Sequence, residues 1–191
     1  MEFGSVHERM REDSKQVLEL YGKHARDWAP REVAEITEKA QLGWMANLTD
    51  ALEIWRAKIH EEMSDGERIL AYVNLGMLLE CWLTLYLCVW LRDYKKQAKD
   101  GRTPYELTFN EMETFFEEKV WEAWPEGKKW SPWIDKIRRY RNAVHPFMRR
   151  DIGTTKELKD DLNKFDQLIV DEFSPALLMD YDDNLFDNGE N

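Results

Sequence analysis

The sequence predicts an all-α protein: a bundle of five to six helices around one long buried central helix. Three observations carry that expectation. Apolar residues recur at helical spacing in nearly every segment, and sustained alternation of the strand type is missing. Three Ser/Thr-x-x-Glu capping boxes stand ahead of periodic runs. The stretch from Ile69 to Leu91 runs for 23 residues with only Asn74, Glu80 and Thr84 clearly polar, which suits a helix enclosed on all sides.

Composition bounds the rest. With 191 residues, 43% of them apolar and 34% charged, the chain has the make-up of one globular domain rather than a disordered segment. Nine tryptophans and 13% aromatic residues point to a core or interface built on large rings. The formal charge of −11 excludes a protein that coats nucleic acid without selection, since phosphate attraction needs a basic surface. A small basic site inside an acidic envelope stays open. Met1-Glu2-Phe3-Gly4-Ser5 resembles a cloning remnant, so the domain is taken as residues 6–179, followed by an acidic tail at 180–191. No basic-then-apolar leader follows Ser5, which sets the expectation of a cytoplasmic protein. Cys81 and Cys88 lie seven apart on one predicted helix, roughly 10 Å along its axis and too far to pair with each other. They read as two free thiols in a reducing compartment.

Taken in order, a first helix covers about residues 7–26. Pro30 suits the first position of a second helix reaching about Met63, with Leu42, Met45, Leu48, Leu52 and Trp55 on one face. Ser64-Asp65-Gly66-Glu67 is a capping box: the Ser hydroxyl accepts from a first-turn N–H and the Glu reaches back. It opens the third and longest helix, to about Lys99, where Gly101, Thr103 and Pro104 mark a loop. That helix is long enough to cross a bilayer. Glu80 would then sit near the midplane at a cost of roughly 2.5–3.5 kcal/mol or more, and the other amphipathic helices would lose the apolar partner they need. A buried core element fits better, and no membrane association is expected. Thr108 with Glu111 opens a helix to about Trp124. Ser131 as cap and Pro132 as first residue open the next, to about His145. Thr154 with Glu157 opens the last long helix, to about Phe173, and Ser174-Pro175 starts one further short turn. Neither an internal repeat nor a dividing linker is visible.

The chemistry-bearing stretch runs from Trp130 to Pro146. Advancing about 100° per residue gathers Trp130, Trp133, Ile134, Ile137, Tyr140 and Val144 on one face. Beside it lies a polar stripe of Arg138, Arg141, Asn142 and His145. Arg141 and His145 stand one turn apart, and Arg138 and Asn142 likewise. Arg139 falls roughly 120° from His145, and Pro146 places His145 at the helix end. Between Lys128 and Arg150 stand eight basic residues (Lys128, Lys129, Lys136, Arg138, Arg139, Arg141, Arg149, Arg150) and one acid, Asp135. That is a local charge near +7 in a chain of −11. One reading is a phosphodiester pocket. The arginines would hold phosphate oxygens and stabilise transition-state charge, His145 would move a proton, and Asn142 would orient the imidazole or a ribose. Lys136, Arg138, Arg149 and Arg150 would bind substrate, and no metal or other cofactor is needed. The plainer reading is that cations at a helix C-terminus complement its dipole, with the His capping the last carbonyls.

Arg141-Asn142-Ala143-Val144-His145-Pro146 resembles the signature of the HEPN superfamily, all-α domains found in prokaryotic toxins, abortive-infection systems and nucleic-acid defence, and in some eukaryotic proteins. The family pattern is an Arg, usually followed by a polar residue such as Asn, then a His after four to six intervening residues. Leu75-Gly76-Met77-Leu78-Leu79-Glu80 is similar to the family's apolar helix with an embedded acid. The likeness covers roughly residues 65–173, and residues 6–63 have no counterpart in it. It implies a four- or five-helix bundle that forms a homodimer and brings two Arg/His sites into one cleft. It also implies a metal-independent endoribonuclease, or an inactive relative that binds nucleotides or protein partners such as an antitoxin. His145 matches the family His and Asn142 the polar residue. Two arginines compete for the remaining place. Arg141 adjoins Asn142 but leaves three residues before His145, whereas Arg139 leaves five but is followed by Tyr140.

An ionised Glu80 inside a core helix needs a partner. Pairing with Arg141 or Arg138 would orient the site; solvent or a tyrosine hydroxyl are the other choices. Trp121, Trp124, Trp130 and Trp133 either stack on bases or, more plainly, fill the core. His7, His24, His60 and His145 are scattered, and no His stands at ligand spacing from the cysteines, which argues against zinc. Gly-rich phosphate loops and Gly-x-Ser-x-Gly elbows are missing too. Asp182, Asp183 and Asp187 around Leu185 and Phe186 form a solvated tail or one that docks on the basic patch. Three functions are therefore in play: an RNA-cleaving homodimer of toxin or defence type, a catalytically inactive HEPN-like module that binds nucleotide, RNA or protein, and an unrelated helical interaction protein.

Overall fold

The structure, a computed structural model, describes residues 5–98, 100–144 and 150–178, and all regular structure among them is helical. Ser5 caps α1 (Val6–Lys23): its hydroxyl accepts from the Glu8 N–H at 3.3 Å, and Glu8 accepts from the Ser5 N–H at 2.7 Å. Ser5 therefore takes part in the fold, although its neighbourhood reads as a cloning remnant. A break at His24 leads into the short α2 (Ala25–Trp28). Two helices, α3 (Arg31–Lys39) and α4 (Leu42–Lys58), replace the single second helix that periodicity suggests. Ala40 between them is extended. The break lets α3 lie on α1 while α4 runs between α1 and the long helix that follows, two directions that one straight helix cannot serve.

That long helix is α5 (Asp65–Val89), opened by the Ser64–Glu67 capping box. It stops short of the predicted Lys99, because Trp90 leaves helical geometry and α6 (Leu91–Gln97) follows as a separate piece. A 3₁₀ turn at Pro104–Glu106 precedes α7 (Phe109–Phe115), which Thr108 and Glu111 cap as expected. The chain continues through a π-turn at Phe116–Val120 into α8 (Trp121–Ala123). Next, a 3₁₀ segment at Pro125–Trp130 runs straight into α9 (Ser131–Arg141), so Ser131 is the first helical residue and not the cap. Packing is the reason. Gly127 lies flat on Trp121, where an added Cβ would come within 2.2 Å of the ring, and this seats the segment ahead of α9.

At Asn142, α9 gives way to a 3₁₀ turn, Asn142–Val144, ahead of the predicted end at His145. Such a turn advances about 120° per residue. Val144 thereby leaves the apolar face and is exposed, while Trp130, Trp133, Ile134, Ile137 and Tyr140 on that face are buried. The Thr154–Glu157 capping box opens α10 (Thr155–Leu168), which continues through a π-turn at Ile169–Phe173 into α11 (Ser174–Leu178). His145, Pro146, Arg149 and the tail at 180–191 lie outside the described residues.

The bundle is thus cut into more pieces than the five or six helices expected, but its centre is the one foreseen. Leu75, Leu78, Leu79, Trp82 and Leu83 of α5 are fully buried, with α4, α9 and α10 packed around them. Among the described residues α5 is the helix long and apolar enough to cross a membrane, with a mean hydropathy of 1.5, and 67% of that stretch is buried inside the bundle. On the far side α1 closes against α4, α10 and α11. Residues 6–63 therefore belong to the same core: Met10, Val17, Tyr21, Met45 and Leu52 form one cluster with Leu75 and Leu79. Each such side chain contributes roughly 1.5–3 kcal/mol by leaving water. Trp121, Trp130 and Trp133 are buried there as well, with Trp124 half-buried beside them. Cys81 and Cys88 are free thiols.

Candidate functional site

Helix α9 approaches α5 closely because Gly76 has no side chain. A Cβ there would sit 2.7 Å from the Arg141 Cβ and 3.0 Å from its Cγ and Cδ, so the Arg141 stem runs directly over α5. The guanidinium then reaches one turn further, to Glu80, with Nη2 and Oε2 2.7 Å apart. The same nitrogen lies 3.2 Å from the Met77 Sδ, and the guanidinium stands 5.6 Å from the centre of the Phe109 ring. Arg141 and Glu80 are 22% and 21% exposed, so solvent reaches both. Of the partners open to Glu80, Arg141 is the one present. Burial pushes the Glu80 carboxyl above the ordinary carboxylate range, against the opposing pull of Arg141. Thr84, one turn further along α5, donates to the Glu80 carbonyl at 2.8 Å.

The other cations of the motif helix go elsewhere. Arg138 donates from Nε to Glu113 on α7 and from Nη2 to Asp135, both at 2.5 Å. Burial raises the Glu113 carboxyl too, with Arg138 opposing. Arg139 is exposed, pairs with Asp135 at 2.9 Å, and stands roughly 200° around the helix from Arg141. Lys136 turns to α10, where it donates to Asp161 at 2.7 Å. Asp161 is fully buried and also accepts from the Tyr72 hydroxyl at 2.8 Å and the Trp133 indole at 3.0 Å. Lys136 is therefore part of a structural knot, away from Glu80. Asn142 is the half-buried C-cap of α9, its backbone N–H donating to the Arg138 and Tyr140 carbonyls. Arg150 is half-buried at the start of the link to α10. His145 and Arg149 fall outside the described residues, so the structure joins Arg141 to Glu80 and leaves the His145 position open.

The basic stretch is answered in space by carboxylates of other helices. Glu80 meets Arg141, Glu113 meets Arg138, Asp161 meets Lys136, and Glu172 meets Lys129 at 3.0 Å. A bare cationic patch, as the local count of +7 suggests, is not what the described residues form. An anion arriving at Arg141 has to displace Glu80. Among the described residues no three of His, Cys, Asp and Glu converge to hold a metal ion.

Comparisons with family models, curated proteins and solved structures give no match to this chain. The residues themselves are left to carry the reading. Three that shape the site escape a reading of the sequence: Glu113, Phe109 and Met77. None breaks the pattern of its helix, so none carries a signal. Asp161 does carry one. It stands among Leu158, Leu162 and Phe165 on the apolar face of α10, an acid where the periodicity asks for an apolar side chain.

Proposed function

We propose that the chain is a HEPN-like helical protein that binds RNA or a nucleotide through a phosphate seated on Arg141. The observation that carries this reading is the Arg141–Glu80 pair. Its guanidinium is fixed by Gly76 and Phe109, stays partly exposed, and faces a carboxylate whose charged form burial already disfavours. A phosphate offers that guanidinium a bidentate partner, and Glu80 gives way by taking a proton or turning to solvent. The apolar helix with its embedded acid packs against the helix bearing Arg141-Asn142, which brings the two motifs that carry the resemblance together. Binding is favoured over cleavage, because Arg138, Arg139 and Arg141 are all engaged by carboxylates, which leaves less positive charge to stabilise a transition state. The second reading is a metal-independent endoribonuclease of toxin or defence type, with His145 as proton-transfer group; the concentration of basic residues between Lys128 and Arg150 favours it, whereas the three residues between Arg141 and His145 fall one short of the family spacing. A second copy of the chain is the expected protein partner, and an antitoxin-like protein a further one.

The test is fluorescence anisotropy with a labelled single-stranded RNA and a labelled nucleotide, in EDTA. Arg141→Ala is expected to weaken binding by about tenfold or more, the worth of a charge-assisted hydrogen bond. Glu80→Gln, which removes the competing charge and keeps the volume, is expected to tighten it. Equal affinity of the wild type and Arg141→Ala sinks the proposal. Cleavage of the same RNA in EDTA, lost in His145→Ala, moves the reading to the enzyme.

A further inference from the structure

A separate groove lies at the C-terminal end of α5, where α5 and α6 meet the π-turn at Phe116–Val120, α8 and α11. Its volume is about 690 Å³, within the range of small-ligand pockets. Five rings line it: Tyr86, Trp90, Tyr94, Phe115 and Trp124. They are braced by ring contacts, with centroids 4.9 Å apart for Tyr94 and Phe115, 6.3 Å for Tyr86 and Trp90, and 5.7 Å for Trp124 and the buried Trp121. The walls are therefore preformed, and filling the groove does not require the rings to be ordered first.

The charges on the wall nearly cancel. Asp93 and Lys96 pair at 2.8 Å, and Glu172 is taken by Lys129 and the Trp130 indole. That leaves Asp171, which accepts from the Gln167 amide at 2.7 Å, and Lys119, both on the lining of the groove. What decides the ligand is then the rings, whose π systems attract cations. The formal charge of −11 acts in the same sense, drawing cations in and turning anions away. A phosphate gains nothing from such a wall.

We propose that this aromatic groove binds a small organic cation, a quaternary or methylated ammonium group, with the rings around the charge and Asp171 as its carboxylate partner. The test uses the full chain with choline as probe. The control is the uncharged carbon isostere of choline, a tert-butyl group replacing the trimethylammonium, and binding is read by calorimetry. Choline is expected to bind saturably and about tenfold or more tightly than the isostere. Trp124→Ala and Asp171→Asn each weaken choline. Lys119→Ala, which removes a like charge, tightens it. Neither Asp171 nor Lys119 is buried, so these two arms stand even if Trp124→Ala folds poorly. Equal affinity for the two probes, absence of saturable choline binding, or a Lys119→Ala chain that binds choline more weakly overturns the proposal.

Discussion

Asp166 on α10 is all but sealed from solvent and faces Arg56 Nη2 at 2.6 Å and His7 Nδ1 at 3.4 Å. Glu53 stands beside both, 2.9 Å from His7 Nε2 and 3.5 Å from Arg56 Nε. Burial pushes the Asp166 carboxyl up to about 6, with Arg56 and His7 pulling the other way. In the unfolded chain it titrates near ~3.9, so the folded state holds this proton more tightly. The stability it contributes is full below about pH 4 and is lost as pH rises through about 6. Urea unfolding across that window should therefore show a decline in the wild type that Asp166→Asn flattens, on the order of 2–3 kcal/mol. Parallel profiles would clear Asp166 of any part in it. Gly76 sets two effects against each other. Glycine to alanine inside a helix ordinarily stabilises by up to ~1 kcal/mol, but here the new methyl sits 2.7 Å from the Arg141 Cβ. Overpacking of that kind costs about 1–3 kcal/mol and wins. Gly76→Ala should lower stability in the same assay, and a stabilised variant would mean that α9 shifts freely away from α5.

Between elements, Asp161 is the tie: through Tyr72, Trp133 and Lys136 it joins α5, α9 and α10. Asp161→Ala leaves two donors and an ammonium without their acceptor, a loss of roughly 3–5 kcal/mol. Tyr72→Phe removes one of three bonds and should cost only ~1 kcal/mol. Denaturant midpoints that rank the two variants the other way round would place the weight on the Tyr72 ring instead. Starts marked by a capping box were legible in the sequence, because such a box is local: Ser64, Thr108 and Thr154 cap the helices they were expected to cap. Ends and breaks were not. The gap at Ala40 and the stop at Trp90 follow from which neighbours each segment packs on, and no window of residues contains that information. The same division runs through the site. An acid in an apolar helix has to find a cation, so Glu80 with Arg141 was foreseeable. Glu113 and Arg138 join helices whose patterns look ordinary, and Asp161, though marked as an acid on an apolar face, gives no sign that Lys136 is its partner; the two residues stand 25 apart in each case.

At the scale of the whole molecule, several large apolar side chains among the described residues stand exposed. Trp44 is 68% exposed, Ile54 55% and Leu70 54%. On α4, Trp44, Leu48, Ala51 and Trp55 share one stripe; on α5, Leu70, Met77 and Cys81 share another. Asn74 joins the two, accepting from the Trp55 indole and donating to the Leu48 carbonyl, each at 3.0 Å. Met77 is also the neighbour of Arg141, so this face ends at the candidate site. A second copy seated on it would bring two Arg141 sites toward each other, as the resemblance implies. Such an interface needs about 800 Å² from each partner, with a central Trp commonly the strongest anchor. Working against it is the charge of −11 on each copy, a repulsion that salt screens beyond about 10 Å. Sedimentation should therefore report a dimer whose dissociation constant falls as salt rises from low to roughly physiological strength. Trp44→Glu buries a charge at the anchor and should weaken the dimer by about 30-fold or more, the equivalent of ~2 kcal/mol. RNA affinity should fall with it if both copies build the site. A monomer at tens of micromolar in every salt concentration, or a Trp44→Glu dimer as tight as the wild type, rules this face out as the contact.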